Sequence, residues 1–80
     1  MNGKTECLLN AHTCMNERDY AGAIMWYDSA IKLGANAYFE RGTAHERMGN
    51  IDEAIRDFQY ALEHNPNDFM AARRLQKYQR

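Results

Sequence analysis

YFERGTAHERMGNIDEAIRDFQYALEHNP, the stretch from Tyr38 to Pro66, decides the fold of this 80-residue chain. Apolar and small residues recur in it three and four positions apart, which is the spacing of one face of an α-helix. Gly49-Asn50 interrupts the pattern in the middle, and Asn65-Pro66 ends it. The stretch therefore predicts two helices that fold back on each other.

The predicted inner face combines small residues with large ones, so that two backbones can approach closely while large side chains fill the space around them. Its members are Tyr38, Gly42, His45, Ile51, Ala54, Ile55, Phe58, Ala61 and Leu62. This arrangement resembles the tetratricopeptide repeat, a helix–turn–helix unit of about 34 residues. The matching residues are Tyr38, Gly42, the Gly49-Asn50 turn, Ala54, Phe58, Ala61 and Pro66.

An earlier copy of the same unit is found by shifting the numbering by 31. The shift takes Cys7, Ala11 and Cys14 to Tyr38, Gly42 and His45. It also relates the inner face of the next helix, Tyr20, Ala23, Ile24, Tyr27, Ala30 and Ile31, to Ile51, Ala54, Ile55, Phe58, Ala61 and Leu62. The chain therefore contains an internal repeat with a period of 31 residues.

The resemblance implies an all-α fold: five antiparallel helices forming an α-α superhelix, here a short right-handed solenoid. We expect repeat one at about 5–34, repeat two at about 36–66 and a C-terminal capping helix at about 68–80. Gln76 and Gln79 would give that last helix a polar outer side.

Several residues mark where helices begin. Thr5 is expected to cap the first helix, Asp19 to open the second and Asn36 to cap the third. Asn67 or Asp68 can cap the fifth.

Two connections between helices have features that single residues predict. Gly34 can end the second helix in the left-handed conformation, giving a tight corner. The alternative is that helices two and three fuse through Gly34, which would invite domain swapping. Arg18 stands where the second repeat has Gly49, so a different geometry is expected in the first turn.

Composition excludes several classes of protein. Hydrophobic residues make up 45% of the chain and charged residues 26%, which is ordinary for one small globular domain. The net charge of −1 argues against a nucleic-acid binder. Because no apolar run approaches 18 residues, no membrane segment is expected.

The cysteines indicate a reducing, cytoplasmic location. Cys7 and Cys14 would lie about 10 Å apart along one helix, too far for a disulfide. Neither they nor the three histidines have the spacing of a metal site. No enzyme motif and no cofactor signature is found, and Glu40, Glu46 and Glu53 are expected to be solvated surface charges.

The resemblance implies that the first helix of each pair lines a concave groove that binds a partner peptide or helix, as in adaptors and scaffolds. The groove candidates are Leu8, His12, Met15, Phe39, Thr43, Arg47, Arg73, Arg74 and Lys77. Leu8 and Phe39 either pack between neighbouring helices or serve as anchor points for an apolar side chain of the partner. Because residues 69–80 contain four basic and no acidic residues, the partner is expected to carry an acidic stretch.

A different function is also compatible with the sequence. The chain could be a self-associating or designed repeat module that acts as a structural scaffold. Its candidate contacts are Met25 and Trp26, on the outer side of the second helix, and Gly34, as a hinge for swapping.

Overall fold

A computed structural model describes residues 3–78 and contains five helices in this part of the chain. They are α1 (Gly3–Asn16), α2 (Tyr20–Lys32), α3 (Tyr38–Arg47), α4 (Ile51–His64) and α5 (Phe69–Tyr78). Each helix packs against the next along the chain, and no strand occurs between residues 3 and 78. The predicted all-α class is confirmed. None of these five helices is both long enough and apolar enough to cross a bilayer.

Helix α3 belongs to two core clusters. The first cluster consists of buried Ala11, Ala23, Tyr27, Ala37 and Ala44. The second cluster consists of buried Ala54, Phe58, Ala61, Ala71 and Leu75, with Tyr38 and Phe39 packed against it. Ala37, just before α3, and Ala44 within it thus complete the core of the first hairpin, while two aromatic residues of α3 cover the core of the second.

The second hairpin depends on a close approach at Gly42. A Cβ atom placed there would lie 2.8 Å from Cε1 and 3.0 Å from Cδ1 of Phe58, and 3.1 Å from Cβ of Asp57. Only a residue without a side chain fits at this distance. The small inner residue expected from the sequence therefore has a steric reason.

The turns of both repeats have the same geometry. Arg18 has a φ of 62° and Gly49 a φ of 83°. The amide of Asp19 donates to the carbonyl of Cys14 at 2.7 Å. In the second repeat, the amide of Asn50 donates to the carbonyl of His45 at 2.8 Å. The expectation that Arg18 changes the geometry of the turn is wrong. The hydrogen bonds that end the helix keep the backbone of Arg18 in the left-handed conformation despite its side chain.

The corner after α2 is the predicted one. Gly34 has a φ of 100°, and its amide donates to the carbonyl of Ile31 at 2.9 Å. Because α2 ends at Lys32 and α3 begins at Tyr38, the two helices are separate and do not fuse through Gly34.

The predictions of helix starts are partly right. Asp19 caps α2 by accepting from the Gly22 amide at 3.0 Å, and Asp68 accepts from the Ala71 amide at 3.1 Å. Thr5 does not cap α1, which begins two residues earlier, at Gly3. Asn36 is not the cap of α3 either: the helix starts after Ala37, which has no side chain able to accept a hydrogen bond.

The exposed surface of α5 is partly apolar and partly polar. Phe69 is 76% exposed and Met70 is 58% exposed at its first turn, although Gln76 further along is also exposed. Gln79 and Arg80, which were expected to continue this helix, lie outside the described residues.

Replacing Gly42 with alanine is expected to destabilise the protein. Crowding against Phe58 should cost about 1–3 kcal/mol, and the better helix propensity of alanine returns only about 1 kcal/mol. Urea unfolding followed by circular dichroism measures the difference. Gln59→Ala on the exposed side of α4 is the control and should stay within about 0.5 kcal/mol of the parent. A net stabilisation by Gly42→Ala would show that α3 and α4 are not this close.

Arg18→Gly is expected to stabilise the protein by about 0.5–1 kcal/mol, because glycine relieves the left-handed strain by more than it adds to the entropy of the unfolded chain. The matched control is Glu17→Gly, one residue earlier, where φ is not positive and glycine should destabilise by a similar amount. Thermal melts compare the two variants with the parent. Equal destabilisation by both would contradict the assigned turn geometry.

Candidate functional site

Glu46 on α3 binds three side chains of α5. One carboxylate oxygen, Oε1, accepts from Nη1 of Arg74, while Oε2 accepts from the hydroxyl of Tyr78 and lies 3.5 Å from Nζ of Lys77. The Glu46 side chain is only 13% exposed. The expectation that Glu46 is a solvated charge is therefore wrong. We call Glu46, Arg74, Lys77 and Tyr78 the Glu46 network.

This network keeps Glu46 ionised. Burial by itself would raise the pKa of the carboxyl group, but the hydrogen bond from Tyr78 and the charges of Arg74 and Lys77 together hold the pKa of Glu46 below its ordinary value. The same hydrogen bond, with some burial, raises the pKa of Tyr78. At neutral pH the carboxylate is thus a charged acceptor that is fully engaged with donors from the neighbouring helix.

Phe39 lies next to this network. The guanidinium of Arg74 is 5.4 Å from the centre of the Phe39 ring, a cation–π distance. The ring is half-buried and lies 5.6 Å from that of Phe58. Phe39 therefore packs between helices, and only part of its surface is left for a partner.

Two of the three groove candidates on α1 also pack between helices, as Phe39 does. Leu8 and Met15 are half-buried and pack against the first cluster, which also contains Ala44 of α3. His12 is exposed, and its ring stands edge-on to Tyr27 at 6.0 Å. Inter-helix packing therefore accounts for much of the apolar surface of Leu8 and Met15.

The remaining candidates are polar. Thr43 donates its hydroxyl hydrogen to the carbonyl of Phe39 at 3.0 Å, and Arg47 is exposed. Arg73, also exposed, joins Met70 and Arg74 in lining an open hollow of about 260 Å³. The structure thus brings Arg74 and Lys77 to Glu46, and it places Phe39 and Arg73 beside Arg74.

Sequence reasoning missed an ion-pair network centred on Arg41. The guanidinium of this α3 residue binds Asp57 of α4 through two hydrogen bonds, Nε to Oδ2 at 2.9 Å and Nη2 to Oδ1 at 2.6 Å. Its Nη1 binds Oδ1 of Asp28 on α2 at 2.7 Å. Hydrogen bonds to Asp57 are the main reason why the pKa of Arg41 is raised, and they outweigh the opposing effect of burial. One side chain thus connects three helices.

A signal for this network was present in the sequence. Arg41 lies three residues after Tyr38 and four before His45, so it shares their helix face. A charged residue on an inward face needs a buried partner. Asp57 is that partner: it is buried, and its Oδ2 is also 3.9 Å from Nε2 of His45. A hollow of about 140 Å³ beside this group is lined by Arg41, His45, Glu53, Arg56, Asp57 and Tyr60.

The outer side of α2 has a separate apolar hollow. Its volume is about 270 Å³, and it is lined by Gly22, Met25, Trp26 and Ser29. Met25 is 70% exposed and Trp26 is also exposed. These two candidate contacts for self-association therefore share one surface.

The thiols and other potential metal ligands do not form a metal site within the described part of the chain. Cys7 and Cys14 are both free. Burial, followed by the charge of Asp19, raises the pKa of the Cys14 thiol. Among residues 3–78, no three His, Cys, Asp or Glu side chains are grouped so that they could hold a metal ion.

Comparison with known proteins gives one match. Residues 35–68 match the family model of the tetratricopeptide repeat, a segment that contains α3, α4 and the connections on either side. No curated protein and no solved structure gives a significant match.

Arg41→Lys is expected to destabilise the protein by about 1.5–3 kcal/mol, because one ammonium group cannot replace the fork of hydrogen bonds that joins Asp28 and Asp57. The control is Arg56→Lys, an exposed arginine beside the same hollow, which should change stability by less than about 0.5 kcal/mol. Both are measured by urea unfolding. If the two substitutions have the same effect, the Arg41 network does not connect the helices energetically.

Proposed function

We propose that the chain is a non-enzymatic protein–protein interaction module of the tetratricopeptide repeat family, because residues 35–68 match the model of that family. Repeats of this family generally bind other proteins and typically have no catalytic activity. The partner is a peptide or a helix, held in a concave groove that α1, α3 and α5 line. In this role the chain would act as an adaptor or scaffold.

The hollow beside Met70, Arg73 and Arg74 is the observation that carries this proposal. It combines an exposed apolar side chain with two cations on α5, a helix that packs on the matched repeat. Such a surface suits a partner segment in which an apolar residue lies beside acidic ones. Arg73 supplies the exposed charge, and Met70 supplies the apolar contact.

The other groove candidates have smaller roles in this proposal. Leu8, Met15 and Phe39 offer the exposed edges of side chains whose remaining surface packs between helices. His12, Thr43, Arg47 and Lys77 would contribute polar contacts. Each apolar anchor contributes at most about 1–3 kcal/mol, so affinity in the micromolar range is expected.

We propose that the chain consists of repeat one at about 5–34, repeat two at about 36–66 and a last helix that caps them. The matching turn geometry at Arg18 and Gly49 supports treating the first hairpin as a repeat. Free thiols at Cys7 and Cys14 support a cytoplasmic location, where cysteines stay reduced.

The acidic residues of α3 argue against nucleic acid as the partner. Glu40 and Glu46 both lie on this helix, where a nucleic-acid binder would need a basic surface.

The groove is tested by selecting peptides from a displayed library and measuring their dissociation constants by fluorescence anisotropy. Arg73→Glu should weaken the selected peptide at least about tenfold, because it places a negative charge where acidic residues bind. Arg56→Glu makes the same change on α4, away from the groove, and should alter affinity less than about twofold. Equal weakening by both variants, or by neither, would reject the groove as the binding surface.

A second candidate function is self-association through α2, which its exposed Met25 and Trp26 favour. Light scattering during gel filtration measures the mass over a wide range of protein concentrations. A dimer that Met25→Ser or Trp26→Ser returns to the monomer would support this alternative. A monomer at all concentrations would exclude it.

A further inference from the structure

Glu46 holds the donors that an acidic partner would need. Arg74 and Lys77 are two of the three groove cations on α5, and both lie against the Glu46 carboxylate. The Tyr78 hydroxyl donates to the same carboxylate and so helps to hold Glu46 against these two cations. Arg74 is half-buried at this contact, whereas Lys77 and Arg73 are exposed. The basic character of α5 is thus partly neutralised by a side chain of α3.

The environment of Glu46 closely resembles that of a bound carboxylate ligand. Both oxygens accept hydrogen bonds, and the guanidinium of one donor, Arg74, stands over the Phe39 ring. Charge-assisted hydrogen bonds of this kind are stronger than neutral ones. A partner's carboxylate could take over the hydrogen bond from Nη1 of Arg74 only after Glu46 has left it.

We infer that Glu46 is an intramolecular competitor that lowers the affinity of the groove for acidic segments. This inference rests on the proposed groove function and assigns the partner's chemistry at one position. When a glutamate, aspartate or C-terminal carboxylate of the partner binds Arg74 and Lys77, the Glu46 side chain turns into water and stays ionised. Glu46 thereby selects against weakly acidic partners, since a partner must offer enough negative charge to displace it.

The test uses a fluorescein-labelled hexaglutamate peptide, with hexaglutamine as the uncharged comparison, on the whole chain. Glu46→Gln should tighten hexaglutamate binding about tenfold relative to the parent, because the released donors become available and one repulsive charge is removed. Glu63→Gln removes the same charge from an exposed site on α4 and should tighten binding less than about twofold. Hexaglutamine binding should not change in either variant.

A double variant locates the effect. In Glu46→Gln/Arg74→Gln the gain should disappear, because the cation that receives the partner's carboxylate is missing. Equal gains for Glu46→Gln and Glu63→Gln, no gain for Glu46→Gln, or a gain that survives in the double variant would each overturn the inference.

Glu46→Gln could also weaken the contact between α3 and α5, so each variant is first checked for helicity and for a cooperative melt. If it does not fold, Tyr78→Phe provides a second test. This change removes one donor to Glu46 but keeps both cations, and it should tighten hexaglutamate binding about two- to threefold. Unchanged binding in a folded Tyr78→Phe variant would overturn the inference.

The failures of the two proposals can be distinguished. If Arg73→Glu abolishes binding of library peptides while Glu46→Gln leaves hexaglutamate affinity unchanged, the groove function stands and the competitor role of Glu46 falls. If Arg73→Glu leaves the binding of library peptides unchanged, the groove proposal falls and the competitor role falls with it, even where Glu46→Gln tightens hexaglutamate binding.

Discussion

The position of α3 depends on the guanidinium of Arg41, which is bound to a carboxylate on each of the two neighbouring helices. Asp28 lies on the helix before it and Asp57 on the helix after it. Because Asp57 is buried, loss of Arg41 would leave an uncompensated charge between the helices, at a cost of about 3–5 kcal/mol. In a domain this small, that is a large part of the total stability. The surface that α3 offers to a partner therefore depends on a contact on the opposite side of the same helix.

Close packing of small residues makes this arrangement possible. Most fully buried side chains are alanines, and the two largest are single aromatic rings, Tyr27 in the first cluster and Phe58 in the second. Burying each ring contributes about 1.5–3 kcal/mol. The short distance between α3 and α4 at Gly42 seats the Phe58 ring and brings Asp57 within reach of Arg41. Sterics and charge pairing thus fix the same helix spacing.

Features that depend on residues close together in the chain could be predicted from the sequence. The five helices, the Asp19 cap and the left-handed Gly34 follow from periodicity and from the properties of single residues. The sequence did not predict the partners of Arg41 and Glu46. These partners lie 13 to 32 positions away in the chain, and their contacts depend on how neighbouring helices are rotated and spaced. Arg18 shows a related limit: the hydrogen bonds that end a helix can impose a left-handed φ on a residue that disfavours it.

The central claim is that a partner binds on the side of α1, α3 and α5. The most direct measurement is a titration of ¹⁵N-labelled protein with a library-selected peptide, followed by amide chemical shifts. We expect the largest shifts at Arg73, Arg74 and Phe39, and at the exposed residues of α1 near His12. Amides around Met25 and Trp26 should barely move. The largest shifts on that outer surface of α2, with none on α3 and α5, would contradict the account.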